Sequence, residues 1–264
     1  MQAVRIDDVT LHWREDGDPA GRPVLFSNSL GTDLRVWDRL TPLLPPGLRL
    51  IRYDTRGHGL SGVTPGPYAM ERLADDAAGL LDHLGARDAV AVGLSIGGMT
   101  VQSLAARRPD LVAGLVLVDT AAKIGEPQMW TDRLAVATEG GIAALAEGTL
   151  ARWFPEDRHA AHPEDVALWR AMLMRTPLAG WLGCAAAIRD ADLRQATARL
   201  RLPALVVVGE KDLSTPPAMA RELAALIPGA RLGEIPGAGH LPCVDAPQAV
   251  ADLINPWLRD SGLV

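Results

Sequence analysis

The segment GLSIGG at residues 93–98 has the residue types and spacing of a turn that exposes a serine nucleophile. It follows the apolar run AVAV, which is typical of a buried strand, and it precedes MTVQSLAARR, which is typical of a helix. A hydroxyl on so sharp a turn can meet a base, and the flanking glycines remove side chains that would clash there. The pattern therefore predicts that Ser95 is a nucleophile.

A base and an acid follow Ser95 along the chain, each after a predicted strand. His240 ends the glycine-rich stretch PGAGH. An imidazole, with an ordinary pKa of about 6.5, can accept and return a proton near neutral pH. Asp212 follows the strand LVVVGE and would orient that imidazole. Asp119, at the end of LVLVD, is the alternative acid; we expect Asp212 to take the role because Ser, acid, His is the order that suits this turn.

Attack on a carbonyl would also need backbone N–H groups around the negative oxygen of the tetrahedral intermediate. One candidate is the N–H of Ile96, directly after the nucleophile and at a predicted helix N-terminus. The second should come from the loop FSNSLGTD at residues 26–33, where Leu30 is our candidate. The sequence thus predicts an oxyanion hole formed by Leu30 and Ile96.

The elements that must position these residues read as an α/β fold. Short apolar or β-branched runs predict buried strands that alternate with helices, at residues 24–27, 48–53, 89–93, 115–119, 204–209 and 232–235. Two more polar segments, 3–6 and 11–14, predict an antiparallel hairpin at the sheet edge. We therefore expect a mostly parallel eight-stranded sheet with helices on both faces.

One stretch interrupts this alternation. Residues 122–200 predict several helices and no strand, and they contain Trp130, Trp153, Trp169 and Trp181. We interpret them as a helical cap inserted into a core formed by residues 1–121 and 201–264. Such a cap would cover the carboxyl ends of the strands, where open α/β sheets bind ligands. The alternative is that these helices and their tryptophans are ordinary core packing.

Composition narrows the class of protein. The chain has 264 residues, 48% hydrophobic and 22% charged, which suits one globular α/β domain. A net charge of −6 disfavours nucleic-acid binding, and no segment resembles a signal peptide or a membrane span. The two cysteines, Cys184 and Cys243, lack metal-ligand spacing, so we expect free thiols, no metal site and a soluble cytoplasmic protein.

Several blocks together, SNSLGTDLRVWD, RYDTRGHGLS, GLSIGGM, GEKDLSTPP and GAGHLPCVD, resemble the 3-oxoadipate enol-lactonases. The resemblance implies the α/β-hydrolase fold and a serine hydrolase that opens the enol-lactone ring to 3-oxoadipate through an acyl-enzyme. It implies a small anionic lactone as the binding partner and no cofactor. In the block RGHG it implies a loop-shaping, structural role for His58.

The cap segments WTDRL and RWF also resemble those enzymes. A substrate carboxylate could be bound by an arginine through two parallel hydrogen bonds. The resemblance points to Arg133 for this contact, with Trp130 or Trp153 as an apolar wall. Arg189 is an alternative, and Arg133 could equally be a solvated arginine on a helix surface.

Two other classes of function remain open at this point. A carboxylesterase, another lactonase or a carbon–carbon bond hydrolase could share the fold and the three reactive residues, because specificity would lie in the cap. A noncatalytic ligand receptor could also keep the fold. The complete set of nucleophile, base, acid and oxyanion positions argues against the receptor.

Overall fold

The computed structural model describes residues 1–264. Its strands, in chain order, are β1 (Gln2–Ile6), β2 (Val9–Gly17), β3 (Arg22–Ser27), β4 (Leu48–Tyr53), β5 (Ala89–Leu94), β6 (Val112–Val118), β7 (Ala204–Gly209) and β8 (Arg231–Ile235). They form one sheet in the order β1-β2-β4-β3-β5-β6-β7-β8. The pairs β1–β2 and β2–β4 are antiparallel, and every other pair is parallel. The predicted fold class and the edge hairpin are confirmed.

The helices, in chain order, are α1 (Met70–His83), α2 (Ile96–Arg107), α3 (Pro127–Trp153), α4 (Glu156–Ala161), α5 (Pro163–Met174), α6 (Leu178–Asp190), α7 (Arg194–Thr197), α8 (Pro217–Leu226), α9 (Pro242–Asp245) and α10 (Pro247–Asp260). Two short 3-10 helices, Leu34–Trp37 and Thr41–Leu43, follow β3. Helix α2 packs against β3, β5 and β6, while α8 and α10 pack against β7 and β8.

The central strands lie in the core of the molecule. Every residue of β5 and of β7 is buried, so helices cover both faces of the sheet there. This explains why these strands are continuous apolar runs, whereas β2 alternates between buried and exposed residues in its first half. Because parallel strands end at the same edge of a sheet, the loops after β3, β5, β6, β7 and β8 meet there.

Helices α3 to α7 all lie between β6 and β7, in the segment that we interpret as the cap. Helix α3 is not straight: Gly141 has a φ of 67°, and two helical pieces meet at that residue. No single helix is long and apolar enough to cross a membrane. Only α5 and α6 taken together, bent by 90°, reach the required length and composition.

Candidate active site

Ser95 lies on a strained turn between β5 and α2. Its φ is 57° and its ψ is −119°, a backbone conformation that non-glycine residues seldom adopt. The turn is held from both sides, because the Ser95 N–H donates to the Val118 carbonyl at 3.0 Å and Thr120 Oγ1 donates to the Ser95 carbonyl at 2.6 Å. The strain is therefore sustained by β6, and the serine side chain is presented at the helix N-terminus.

The glycines of this turn are needed for close packing. A Cβ on Gly97 would lie 2.0 Å from the Ser27 carbonyl oxygen, and one on Gly93 would lie 2.3 Å from the Gly97 carbonyl oxygen. Both distances are far inside van der Waals contact. The absence of side chains lets the loop after β3 lie directly against the turn that carries Ser95.

His240 and Asp212, predicted from separate segments, form a buried pair. Nδ1 of His240 lies 2.9 Å from Oδ2 of Asp212. Burial opposes the charge of Asp212, but hydrogen bonds and the positive charge of a protonated His240 hold the pKa of this carboxyl well below its usual range. An ionised carboxylate only accepts hydrogen bonds, so Nδ1 of His240 carries a proton and donates a hydrogen bond to Asp212. That tautomer leaves Nε2 of His240 free to accept a proton.

Asp212 is fixed by further donors from its own loop. Its Oδ1 accepts from the N–H groups of Ser214, at 2.7 Å, and Thr215, at 3.1 Å. Its Oδ2 accepts from Thr215 Oγ1 at 2.6 Å in addition to His240. The backbone of the His240 loop is braced by the cap, because the His240 N–H donates to the Trp153 carbonyl at 3.0 Å. No hydrogen bond joins Ser95 to His240 here, and such contacts are often long without substrate.

The two predicted oxyanion donors belong to segments that border Ser95. Leu30 lies in the loop after β3 and lines the cavity that holds Ser95, and Ile96 is the first residue of α2. Neither N–H donates a hydrogen bond within the protein. Free N–H groups beside a nucleophile and at a helix N-terminus can receive a developing negative charge.

His58 acts on this loop in a way that the sequence did not reveal. Its Nε2 accepts a hydrogen bond from the Gly31 N–H at 3.0 Å, and its Nδ1 lies 3.3 Å from the Arg56 carbonyl oxygen. Complete burial lowers the pKa of His58, which keeps the ring neutral. The expected structural role is therefore specific: a neutral imidazole holds the residue next to Leu30. The sequence did not predict this contact because Gly31 and His58 lie in loops 27 residues apart in the chain.

Asp119, the alternative acid, lies behind Asp212. Ligand atoms of Asp119, Asp212 and His240 lie within 4.8 Å of one another, which is close enough to surround a metal ion. However, Nδ1 of His240 carries the proton shared with Asp212, so it has no lone pair for a metal. The hydrogen bonds fit an acid–imidazole pair better than a metal centre.

The cap closes a cavity of about 100 Å³ over Ser95 and His240. Nine of its sixteen lining residues are hydrophobic. The predicted cap residues Arg133, Trp130 and Trp153 all line it. The Arg133 guanidinium lies 4.9 Å from the centre of the Trp130 ring, a cation–π contact that holds the arginine in place. Both tryptophans are buried, so they are packing residues as well as cavity walls.

A second arginine, Arg152, lines the same cavity, and the sequence interpretation did not select it. Burial and the positive charge of Arg133 lower the pKa of Arg152 to about 10, and burial alone lowers that of Arg133. No carboxylate of the protein offsets either charge. In contrast, Arg189 forms an ion pair with Asp190 and does not line the cavity. Two unpaired guanidinium groups thus face the space next to Ser95.

In a straight helix, the nineteen steps from Arg133 to Arg152 would span about 28 Å, too far for one small cavity. The break at Gly141 brings the two halves of α3 together. The dipeptide Gly140-Gly141 was the available signal for this break, since paired glycines interrupt helices.

Comparison with known proteins agrees with the fold. A family model described as the alpha/beta hydrolase fold matches residues 22–247. The chain belongs to this family and is a hydrolase of the α/β fold. It is 37% identical to 3-oxoadipate enol-lactonase 2 of Acinetobacter baylyi over 92% of this chain and 90% of the relative.

Two solved structures extend the similarity. The enol-lactonase from Burkholderia xenovorans LB400 is 38% identical, with a TM-score of 0.95 over 98% of this chain and 100% of that one. A thermophilic esterase from Thermogutta terrifontis is 33% identical, with a TM-score of 0.92 over 99% of both chains. The resemblance to the enol-lactonases is confirmed.

Proposed function

We propose that this hydrolase opens the lactone ring of 3-oxoadipate enol-lactone to give 3-oxoadipate through an acyl-enzyme on Ser95. One observation carries the proposal: a single cavity combines Ser95 and His240 with the unpaired guanidinium groups of Arg133 and Arg152. Nucleophile and anion-binding groups in one small space suit a small ester that carries a carboxylate. The similarity to enol-lactonases supports the same substrate.

In the first half of the reaction, Nε2 of His240 removes the proton from Ser95 as the serine oxygen attacks the lactone carbonyl. The N–H groups of Leu30 and Ile96 stabilise the oxyanion. Asp212 stabilises the imidazolium and keeps it in the correct orientation. When the intermediate collapses, the ring C–O bond breaks and the enol oxygen leaves with the proton from His240.

In the second half, the leaving group stays attached to the acyl chain because the substrate is cyclic. A water molecule then gives its proton to His240 and attacks the Ser95 ester. The serine oxygen departs with that proton, and the released enol tautomerises to the ketone of 3-oxoadipate. Every step uses groups of this chain, so the proposal requires no metal or organic cofactor.

Specificity for an anion would come from the cap. Arg133 and Arg152 repel one another, and a bound carboxylate would relieve both that repulsion and their incomplete solvation. Trp130 and Trp153 would enclose the ring of the substrate. A cytoplasmic location is part of the proposal; both cysteines are free, which suits a reducing compartment.

The test is steady-state hydrolysis of freshly generated 3-oxoadipate enol-lactone, followed by its ultraviolet absorbance, beside p-nitrophenyl acetate and an uncharged lactone. We expect a kcat/KM of about 10⁴ M⁻¹s⁻¹ or more for the enol-lactone, far above the neutral substrates. Efficient hydrolysis of a neutral ester with weak activity on the enol-lactone would overturn the substrate and favour a general esterase.

A fluorophosphonate probe tests the nucleophile without reference to substrate. Folded protein should be labelled at Ser95, and the Ser95→Ala variant should not be labelled. If the folded protein does not react with the probe and hydrolyses none of the three substrates, the proposed function is wrong and the hypothesis of a noncatalytic receptor replaces it.

A further inference from the structure

Asp119 is a buried acidic side chain for which the proposed mechanism has no use. It follows β6 directly, its φ is 42°, and it is 0% exposed. Its Oδ1 accepts a hydrogen bond from the Gly209 N–H at 2.9 Å. Its Oδ2 is buried and receives no hydrogen bond from any donor of the protein. A strained backbone thus holds a carboxyl group whose second oxygen has no donor.

The Asp119 carboxyl group lies next to the proposed acid, Asp212, and to His240. One carboxyl oxygen of Asp119 and one of Asp212 lie within 4.8 Å of each other and of a His240 ring nitrogen. Two adjacent buried carboxyl groups cannot both remain ionised, so one of them holds a proton. Asp212 receives four hydrogen bonds from protein donors, whereas Asp119 receives one.

Burial and the neighbouring acidic side chains favour the neutral form of Asp119. Burial and the charge of Asp212 raise the pKa of Asp119 well above its usual range, and Asp245 adds to this effect. The nearby Cys243 thiol is uncharged, because burial raises its pKa strongly. The one opposing contact is the hydrogen bond from Gly209. His240, the base of the proposed mechanism, is neutral until it takes the serine proton, and its Nδ1–H donates to Asp212 and not to Asp119.

We propose that Asp119 is a positioning residue that stays protonated at neutral pH and donates a hydrogen bond from Oδ2 to Asp212. The proposal rests on the role of Asp212 and His240 in the proposed function, and it adds a third member to their hydrogen-bonded chain. A neutral donor orients Asp212 without adding charge. A second negative charge would stabilise the His240 imidazolium too strongly, and the imidazolium must return its proton to the leaving oxygen.

Asparagine is the matched substitution, because its amide can donate to Asp212 and accept from Gly209 as protonated aspartic acid does. We expect kcat for Asp119→Asn within about threefold of the parent, and kcat for Asp119→Ala lower by about 10- to 100-fold, with KM little changed. Thermal unfolding of both variants checks that they fold. If Asp119→Ala does not fold, Asp119→Asn and the spectroscopic test decide.

The protonation state has its own readout. At about pH 8, infrared spectra of the parent should show the C=O stretch of a buried carboxylic acid, and Asp119→Asn should lack it. Asp245→Asn is the control and should keep that band, since Asp245, with a pKa raised to about 6, is ionised at this pH. The absence of the band from the parent would overturn the proposal.

The pH profile gives a second decision. If Asp119 is neutral, the acidic limb of kcat/KM should lie at the same pH in the parent and in Asp119→Asn. If Asp119 is ionised, asparagine removes a negative charge near His240, and the limb should move down by about one pH unit or more, which would contradict the proposal. Failure of the parent to react with fluorophosphonate would instead count against the proposed function.

Discussion

The charged groups on the core side of the cavity have hydrogen-bonding partners within the protein, whereas those on the cap side have no ionic partner. On the core side, Asp212 is buried among four hydrogen-bond donors and its orientation is settled before any substrate arrives. On the cap side, Arg133 and Arg152 are partly buried and have no carboxylate partner. Groups that move protons must be oriented in advance, whereas groups that bind an anion must remain free for it.

Because of this difference, we expect substitutions on the core side to change kcat and substitutions on the cap side to change KM. Removing a core group should lower kcat, because that group acts mainly in the transition state. Removing a cap arginine should raise KM for an anionic substrate, because in the proposed function that group binds the carboxylate throughout the reaction. Substitutions on the two sides of the cavity separate these two roles.

Ser95→Ala should lower kcat by about 10⁵-fold or more and leave only the contribution of the oxyanion hole and of binding. Ser103→Ala, which makes the same change at a buried position of α2 outside the cavity, is the control and should keep normal turnover. Steady-state kinetics with the enol-lactone measures both. Activity of Ser95→Ala within about tenfold of the parent would exclude Ser95 as the nucleophile.

Asp212→Asn should lower kcat by about 10⁴-fold, because an amide beside Nδ1 favours the wrong tautomer of His240. Asp119→Asn, the same change in the neighbouring acid, should be much milder. The comparison of the two kcat values decides which residue orients His240. The opposite ranking would transfer the role of the acid to Asp119.

Arg133→Gln and Arg152→Gln should each raise KM for the enol-lactone by about 10- to 100-fold, since each removes a charged hydrogen bond to the carboxylate. Hydrolysis of p-nitrophenyl acetate, which is uncharged, should change little. Arg189→Gln is the control outside the cavity and should leave both substrates unaffected. An equal loss on charged and uncharged substrates would mean that the arginines only support the cap.

Asp245→Asn should change stability in a way that depends on pH. Burial raises the pKa of Asp245 to about 6, although Arg158 lies 2.7 Å away. The folded state therefore binds this proton more tightly than the unfolded chain, and the resulting stabilisation is lost as the pH rises through about 6.

Urea unfolding of the parent and of Asp245→Asn at about pH 5 and pH 8 measures the effect. Relative to the parent, the free energy of unfolding of Asp245→Asn should rise by on the order of 1 kcal/mol from pH 5 to pH 8. The same difference at both pH values would show that Asp245 does not titrate in this range.

The part of the site that follows single strands was readable from sequence. Ser95 and Asp212 follow the continuous apolar strands β5 and β7, and His240 follows the more polar strand β8; parallel strands bring such positions to one edge of the sheet. Contacts between distant loops were not readable. The hydrogen bond from the Gly31 N–H to His58 joins two loops that no sequence motif links. The sequence therefore predicted only that His58 is structural.

The helices of the cap could be predicted from the sequence, but the position of Arg152 beside Arg133 in the cavity could not. Arg152 was not selected because helical spacing places it far from Arg133, and only the change of direction at Gly141 reverses that conclusion. The tertiary structure also distinguishes Arg133, which lines the cavity, from Arg189, which lies outside it and pairs with Asp190.

The α/β order of the strands, the edge hairpin and the turn that carries Ser95 could be predicted from local periodicity and from glycine. Which charged groups have partners and which have none depends on the folded chain. It gave Asp212 its donors, placed Asp119 behind it and left two arginines unpaired over the cavity. Electrostatic partners are set by distances of a few ångströms between segments far apart in the chain, and no local pattern encodes those distances.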